Sequence, residues 1–205
     1  MLLANNISFT RNNKKILENI NISLPPKKII HLTGNNGVGK TTLLKILSNT
    51  IHPDNGDIFW NGKNINKNPY EFYKDLTFIM DAHTSNANLT VYENIFFWKK
   101  LFSSNIKINE LDSVLNLLSL SLHKHTLIKY LSFGEVKKLE LLRLIIEQKK
   151  IWFLDEPYMG LDQDSIDIIN QTIINHIDLN GMVIFTSHIL PVIPKLETLH
   201  LKSYE

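Results

Sequence analysis

A glycine-rich segment that ends in Lys-Thr is the first feature of the sequence suited to chemistry. Residues 34–41 read Gly-Asn-Asn-Gly-Val-Gly-Lys-Thr, between a short apolar run and a segment with helical spacing. In such a loop successive N–H groups point at phosphate oxygens, and the following helix adds the positive end of its dipole. We expect Lys40 to reach the β- and γ-phosphates of ATP and Thr41 to bind Mg²⁺. The predicted nucleotide-binding residues of this segment are Gly34, Asn35, Asn36, Gly37, Val38, Gly39, Lys40, Thr41 and Thr42.

Two adjacent carboxylates, Asp155 and Glu156, follow the apolar run 151–154. Acids at the end of a buried strand cost free energy unless they face a cation or a substrate. We predict that Asp155 holds Mg²⁺, directly or through water, and that Glu156 is the general base that activates the attacking water. For the pair alone a solvated loop is a fair alternative, and the phosphate loop favours the catalytic interpretation.

His188 is the one histidine of eight that directly follows an apolar strand, in a Thr-Ser-His sequence. At that place its ring is predicted to hydrogen-bond a terminal phosphate and the water beside Glu156, and we assign it to the catalytic group. Nothing around the other seven supplies ligand or triad spacing, so we interpret them as surface or core-edge residues: His31, His52, His83, His123, His125, His176 and His200.

Three continuous apolar runs, 29–33, 151–154 and 182–186, are typical of strands covered on both faces in a parallel sheet. Ligands of open α/β sheets lie beyond the carboxyl ends of the strands, so Gly-Lys-Thr, Asp-Glu and Ser-His should converge on one site. By contrast, alternation in 20–24 and the segment 57–60 with its Asn-Gly turn predict an antiparallel portion.

The middle of the chain has apolar residues three or four apart, as in 91–101 and 111–120, which predicts helices. We therefore expect an α/β phosphate-loop NTPase fold with a small N-terminal antiparallel sheet and an inserted helical subdomain. Residues 1–205 are predicted to form one domain, with 1–80 and 149–205 as the nucleotide-binding core and 81–148 as the helical part.

The composition excludes some classes of function and disfavours others, among them nucleic-acid binding. The chain of 205 residues has no cysteine, which removes disulfides, thiol catalysis and zinc-thiolate sites. Its net charge of +2 comes from 22 basic and 20 acidic residues that are scattered, so no basic stripe indicates nucleic-acid binding. The first residues lack the basic start and long apolar stretch that are typical of a signal peptide, and no apolar run approaches membrane-spanning length, so we expect a cytoplasmic protein whose membrane contact is peripheral.

Together with these motifs, Leu-Ser-Phe-Gly-Glu at 131–135 resembles the nucleotide-binding domain of ABC transporters, whose signature usually reads Leu-Ser-Gly-Gly-Gln. The resemblance covers nearly the entire chain. It implies an ATPase that binds two ATP molecules between the subunits of a head-to-tail homodimer. By this resemblance, the opposite subunit's ATP would contact Ser132, Phe133, Gly134 and Glu135. Gly-Leu-Asp at 160–162 matches the family's D-loop, with Asp162 crossing the dimer interface.

The sequence departs from the family pattern at three places. Arg11 stands near where an aromatic residue usually stacks on adenine, and its planar guanidinium is predicted to stack instead. No glutamine occurs in 81–83, where the family has its Q-loop glutamine, which puts metal sensing and coupling in doubt. Phe133 and Glu135 replace Gly and Gln of the signature, and we expect these changes to slow hydrolysis without removing it.

A narrower resemblance is to the ATP-binding subunits of cytochrome c maturation systems, of the haem-exporter type. It rests on Arg11, on the segment 88–95, and on the short extent of chain after His188. It implies docking on an integral membrane permease (CcmB-like), other cytochrome c maturation proteins as partners, and a peripheral place at the cytoplasmic face of the inner membrane. The aromatic residues Tyr92, Phe96, Phe97 and Trp98 lie where the permease docks, although such spacing is also typical of a core.

Three alternatives remain at this point. The first is the ATPase subunit of another ABC exporter, for lipid, peptide or drug. A mechanical ABC ATPase of chromosome or ribosome work is the second, but it would need a long coiled-coil insertion or a second phosphate loop. The third is a degenerate subunit that binds ATP for structure alone.

Overall fold

The computed structural model of the protein describes residues 1–204 and contains nine strands and six α-helices in that range. The strands are β1 Leu2–Arg11, β2 Lys14–Leu24, β3 Ile29–Thr33, β4 Asn55–Trp60, β5 Lys63–Asn64, β6 Leu76–Ile79, β7 Ile151–Leu154, β8 Met182–Thr186 and β9 Leu196–His200. The helices are α1 Lys40–Leu47, α2 Pro69–Asp75, α3 Val91–Leu101, α4 Leu111–Leu117, α5 Phe133–Glu147 and α6 Gln163–Asp178.

Five strands form a parallel sheet in the order β6-β7-β8-β3-β9. Every residue of β7 and β8 is buried, as the continuous apolar runs predicted. Because β7 and β8 are neighbours and β8 also pairs with β3, the carboxyl ends of the three predicted strands meet at one edge. The predicted parallel core is therefore confirmed.

The antiparallel sheet has the order β2-β1-β4-β5. Both predicted pieces, 20–24 and 57–60, belong to it, in β2 and β4. The turn between β4 and β5 has positive φ at Asn61 (49°) and Gly62 (79°), the conformation that a two-residue hairpin favours.

Sequence reasoning did not predict β6 and β9, which lie at the two edges of the parallel sheet. Both are only partly buried, with exposed or intermediate residues in each. Strand β6 buries two of its four residues and β9 buries none of its five, so each gives a weak apolar signal. These two strands form because they pair with β7 and β3, which the local sequence pattern does not reveal.

The helices that were predicted are present, whereas sequence reasoning did not predict α2 and α6. Helix α3 has the predicted bounds, and α5 begins at Phe133, within the Leu-Ser-Phe-Gly-Glu segment. The prediction that the fourth helix continues to residue 120 is wrong, because α4 ends at Leu117 and Ser119 has a φ of 58°. None of the helices in residues 1–204 is long and apolar enough to cross a membrane.

Apolar side chains pack in two clusters on the two faces of the parallel sheet. Along β7, Trp152 and Leu154 belong to one cluster, whereas Ile151 and Phe153 belong to the other. The first cluster includes residues of α3, α4, α5 and α6, and the second joins α1 to both sheets. We retain, as a proposal, the division into a core of 1–80 and 149–205 with a helical part of 81–148.

Asparagine occupies most of the left-handed backbone positions outside glycine. Seven asparagines have positive φ: Asn6, Asn12, Asn13, Asn19, Asn49, Asn61 and Asn180. Its short polar side chain tolerates this conformation better than other side chains do. Many tight turns of the protein are therefore built without glycine.

At the amino end of β7, the rings of Trp152 and His176 stack with centroids 3.6 Å apart and planes within 5°. Trp152 Nε1 and His176 Nε2 are buried without a hydrogen-bond partner in the part of the chain that the structure describes. A Cβ on Gly181 would lie 2.3 Å from the imidazole, so only glycine fits against this ring.

Replacing His176 with Phe should reduce the acid sensitivity of the protein. Burial lowers the pKa of His176 to about 4, below the value of about 6.5 in an unfolded chain. As the pH falls through this interval the unfolded chain gains a proton that the folded protein excludes, so the free energy of unfolding decreases. Between about pH 7 and about pH 5, we expect the wild type to lose roughly 2 kcal/mol more than His176→Phe in urea titrations. The exposed-site control His52→Phe should behave as the wild type does, and equal losses in all three proteins would contradict the prediction.

Candidate nucleotide site

The phosphate loop connects β3 to α1, which begins at Lys40. Lys40 Nζ donates hydrogen bonds to the main-chain oxygens of Gly34 (2.9 Å) and Asn35 (3.3 Å), so the ammonium lies over the loop. Gly39 has a φ of 108°, and a Cβ there would lie 2.7 Å from Ile16 Cγ2. The backbone can follow this path only with glycine at that position.

A cavity of about 510 Å³ lies elsewhere, beside Trp152 and His176, but the predicted site residues surround a different one, of about 480 Å³. The second cavity is lined by Arg11, Ile16, Asn36, Gly37, Gly39, Lys40, Thr41, Thr42, Asp155, Glu156 and His188. The convergence of phosphate loop, carboxylates and histidine is thus a feature of the fold. Gly34, Asn35 and Val38 belong to the loop but do not line this cavity.

The carboxylate of Asp155 is buried, with 3% of the residue exposed. Its Oδ1 accepts a hydrogen bond of 2.7 Å from the Thr186 hydroxyl, which in turn accepts one of 2.9 Å from the Glu156 N–H. Glu156 has a φ of 45°, a strained value for a residue with a Cβ. Thr186 therefore supports both the side chain of Asp155 and the unusual backbone turn that presents Glu156.

His188 lies beside Glu156 at the mouth of the cavity. Its ring Nε2 is 3.6 Å from Glu156 Oε1, and its main-chain N–H donates a hydrogen bond of 3.3 Å to Glu156 Oε2. The turn before it is held by His31, whose Nε2 is 3.0 Å from the Ser187 oxygen and whose ring stacks on Phe185. His31 is a buried structural residue rather than a surface one.

Sequence reasoning missed two residues of this site, Thr186 and Ile16. The available signal for Thr186 was a polar residue at the end of an otherwise apolar strand. Sequence reasoning used it only as part of the Thr-Ser-His sequence that identified His188. Ile16 gave no signal, because it lies in the antiparallel sheet and reaches the loop only through the fold.

Two residues of the site carry oxygen groups of the kind that bind Mg²⁺. Thr41 and Asp155 line the same cavity and supply hydroxyl and carboxylate oxygens, which Mg²⁺ prefers. Within residues 1–204 no group of three or more His, Cys, Asp or Glu side chains is arranged to bind a metal. Phosphate oxygens and water would complete the coordination, as in other nucleotide sites.

The signature segment lies outside this cavity, at the start of α5. Ser132 is the N-cap of the helix and forms a capping box with Glu135, whose pKa these hydrogen bonds lower. Glu135 Oε1 is also 2.9 Å from His123 Nε2. Gly134 packs so closely on the D-loop that a Cβ there would lie 2.6 Å from the Gly160 oxygen.

Asp162, the predicted D-loop residue, is the N-cap of α6. Its Oδ2 accepts a hydrogen bond of 2.6 Å from Lys138 Nζ on α5, and that bond lowers the pKa of Asp162. The signature and the D-loop thus contact each other within one chain. Neither Asp162 nor any of the four signature residues lines the cavity that holds the phosphate loop.

A parallel sheet with a phosphate loop, a carboxylate pair and a histidine at its carboxyl edge, joined to an antiparallel sheet and a signature helix, defines an ATP-binding cassette. The ABC transporter family model matches residues 17–159. The chain belongs to the ABC transporter family. It is an ABC-type ATPase by fold and by motif.

Relatives with a more specific name match almost the whole chain. The cytochrome c biogenesis ATP-binding export protein CcmA of Reclinomonas americana is 35% identical over 190 residues, 91% of this chain and 84% of the relative. The protein of the same name from Vibrio vulnificus is 30% identical over 188 residues, 92% of each chain. In Haemophilus ducreyi it is 29% identical over 204 residues, covering 100% and 97%.

Solved structures of ATP-binding cassettes share the fold. A putative ABC transporter ATP-binding protein from Pyrococcus furiosus superposes with a TM-score of 0.84 at 24% identity, covering 99% of each chain. A dimeric post-hydrolysis state of an ATP-binding cassette, bound to ADP and phosphate, has a TM-score of 0.84 at 20% identity. It covers 98% of this chain and 94% of that one.

Replacing Thr186 with Val should disturb the catalytic turn while keeping the shape of β8. The change removes the hydroxyl that bonds Asp155 and the Glu156 N–H, so the free energy of unfolding should fall by about 1–3 kcal/mol. We also expect slower ATP hydrolysis, and recovery of both properties in Thr186→Ser. The exposed strand residue Thr198 serves as the control, and a Thr186→Val variant as stable and active as Thr198→Val would contradict the assignment.

Proposed function

We propose that this chain is the ATP-hydrolysing subunit of an ABC export complex that couples ATP binding and hydrolysis to a haem-handling step in cytochrome c biogenesis. The observation that carries the ATPase part is the cavity shared by Lys40, Thr41, Asp155, Glu156 and His188. Support for the pathway comes from the relatives named CcmA, which match over nearly the full length of the chain.

In the proposed mechanism, N–H groups of residues 34–39 and the ammonium of Lys40 bind the phosphates of ATP. Arg11, at the rim of the cavity, stacks its guanidinium on the adenine. Thr41 and Asp155 would hold Mg²⁺, which neutralises phosphate charge when it is bound. These residues place the γ-phosphate in front of Glu156.

Glu156 then accepts a proton from the attacking water, and His188 orients that water and the terminal phosphate. The contact between His188 and the Glu156 carboxylate supports this division of roles. The strained backbone at Glu156 favours it as well, since strained φ values cluster at functional sites. General-base catalysis by such a group contributes about 10²- to 10⁴-fold to the rate.

A homodimer completes the proposed site. Ser132, Phe133, Gly134 and Glu135 do not line the cavity of their own subunit, and Phe133 is 46% exposed. An exposed helix start of this kind suits the γ-phosphate of a second copy, with Asp162 at the same interface. We propose the head-to-tail arrangement in which each subunit's signature covers the partner's ATP.

The membrane partner is proposed to be an integral permease, CcmB-like, together with other cytochrome c maturation proteins. Helix α3 offers a contact surface: Phe97 is 53% exposed, and the rings of Tyr92 and Phe96 stack beside it. Trp98 is buried and belongs to the core. Docking there would hold the subunit peripherally at the cytoplasmic face of the inner membrane.

Copurification tests the pathway. The tagged chain should recover an integral membrane permease and a haem-handling membrane protein from detergent extracts of its own cells, because the proposed complex contains both. Phe97→Glu, which places a charge on the proposed contact, should recover much less of each, whereas Tyr70→Glu on exposed α2 should not. Recovery of a lipid, peptide or drug exporter instead would assign the chain to another ABC export pathway.

Replacing Glu156 with Gln should separate ATP binding from hydrolysis. The variant keeps its shape and loses the general base, so the chemical step should slow by about 10²- to 10⁴-fold. With Mg-ATP it should accumulate as a dimer on a sizing column, because it binds ATP and does not reopen. Adding Ser132→Arg should abolish that dimer, since the bulk faces the partner's ATP.

The matched control is Glu71→Gln, an exposed change on α2 that should hydrolyse ATP as the wild type does. If Glu156→Gln hydrolyses ATP at the wild-type rate, its catalytic assignment is wrong. If the wild type binds ATP but does not hydrolyse it in the assembled complex, the chain is a degenerate subunit and the ATPase proposal fails.

A further inference from the structure

One face of α5 is fastened to the segment 81–85, the place where the expected glutamine is missing. Residues 133, 137 and 140 follow one another at helical spacing on that face. Phe133 and His83 have ring centroids 5.4 Å apart. Glu140 accepts hydrogen bonds of 2.6–2.7 Å from the N–H groups of Thr84 and Ser85 and from the Thr84 hydroxyl.

Lys137 lies between these two contacts and is completely buried, with 0% of the residue exposed. Its Nζ donates a hydrogen bond of 3.4 Å to the main-chain oxygen of Asp155. Within residues 1–204 it makes no direct ion pair. The carboxylates whose charge acts on the Lys137 ammonium are those of Asp81, Asp155, Glu140 and Glu156, and Asp81 has the largest effect of the four.

A buried ammonium with one long hydrogen bond is a poor source of stability. Burial disfavours the charge and lowers the pKa of Lys137, and the nearby carboxylates only oppose that effect. An apolar side chain of similar length would fill the same space without the cost of removing a charge from water. The lysine is therefore better explained by what it does for the groups around it.

These groups belong to three different parts of the molecule. Asp155 and Glu156 form the catalytic turn after β7, Asp81 begins the segment after β6, and Lys137 itself is on the helix that starts with the signature. Among the described residues, Lys137 is the one side chain of the signature helix that hydrogen-bonds the Asp155 backbone. The amine is the point at which the three parts meet.

We propose that Lys137 is a positioning residue for ATP hydrolysis, which holds the Asp155–Glu156 turn in register with the signature helix and with the segment 81–85. The proposal rests on the ATPase function proposed above. Lys137 does not line the cavity. It acts through the backbone of Asp155, so its loss should alter the rate of the chemical step more than the binding of ATP.

The test compares Lys137→Met and Lys137→Gln with wild type, and with Lys150→Met as a control for loss of an exposed lysine. Steady-state hydrolysis of Mg-ATP gives kcat and KM, equilibrium binding gives ATP affinity, and urea titration gives the free energy of unfolding. We expect kcat of Lys137→Met to fall by about 10- to 100-fold, the range found when a residue that hydrogen-bonds the ligands of a metal site is replaced. KM and ATP affinity should stay nearly unchanged.

Lys137→Gln keeps a donor for the Asp155 oxygen and loses the charge, so its kcat should lie between those of Lys137→Met and wild type. A Lys137→Met variant that is folded and has wild-type kcat would overturn the proposal, as would a rise in KM alone. If only the Met variant fails to fold, the kcat of the Gln variant decides in the same way. Two variants that both fail to fold would assign Lys137 to folding and overturn it too.

The same experiment separates this proposal from the one on which it rests. A wild-type protein that binds ATP without hydrolysing it overturns both. Wild-type hydrolysis with an unaffected Lys137→Met variant overturns only the role of Lys137.

Discussion

The burial of one carboxylate is the constraint on which the rest of the structure depends. Asp155 directly follows a strand that is covered on both faces, and an acid in that place must be hydrogen-bonded or paired. Thr186 supplies the bond from β8, the strand that also pairs with β3 below the phosphate loop. Because Leu154 pairs with Phe185, a slip of one residue between β7 and β8 would turn the threonine away from the acid. The geometry of the catalytic turn therefore depends on the register between β7 and β8.

Helix α5 connects the parallel sheet to the signature at the protein surface. Its last turns are bonded through buried charges, with Arg143 between Glu140 and Glu147, and Glu147 accepting from the Thr77 hydroxyl of β6. Burial raises the pKa of Glu147, so its carboxylate depends on these partners. At the other end of the helix the capping box fixes the backbone of the signature, where Phe133 is exposed to solvent. A displacement at either end must be shared by the whole helix.

The sequence predicts those parts of the protein whose cause is local. Continuous apolar runs identified β3, β7 and β8, and the loop, the acids and His188 were found because each follows such a run. The edge strands β6 and β9 owe their pairing to neighbours distant in sequence, and the end of α4 depends on a left-handed Ser119. For the same reason Thr186, His31 and Lys137 looked ordinary, since their importance comes from partners 31, 156 and 18 residues away.

The many left-handed asparagines bear on how this chain tolerates change. Glycine loses more backbone freedom on folding than asparagine does. Asparagine at a left-handed turn therefore adds some strain to the folded protein but lowers the conformational entropy of the unfolded chain. Only eight glycines remain in the chain, and most stand where a neighbour leaves no room for a side chain, as at Gly134. Gly37 and Gly62 have open space instead. Asparagine and glycine can therefore replace each other in the open left-handed turns, whereas the glycine that packs the signature against the D-loop is required only for its small volume.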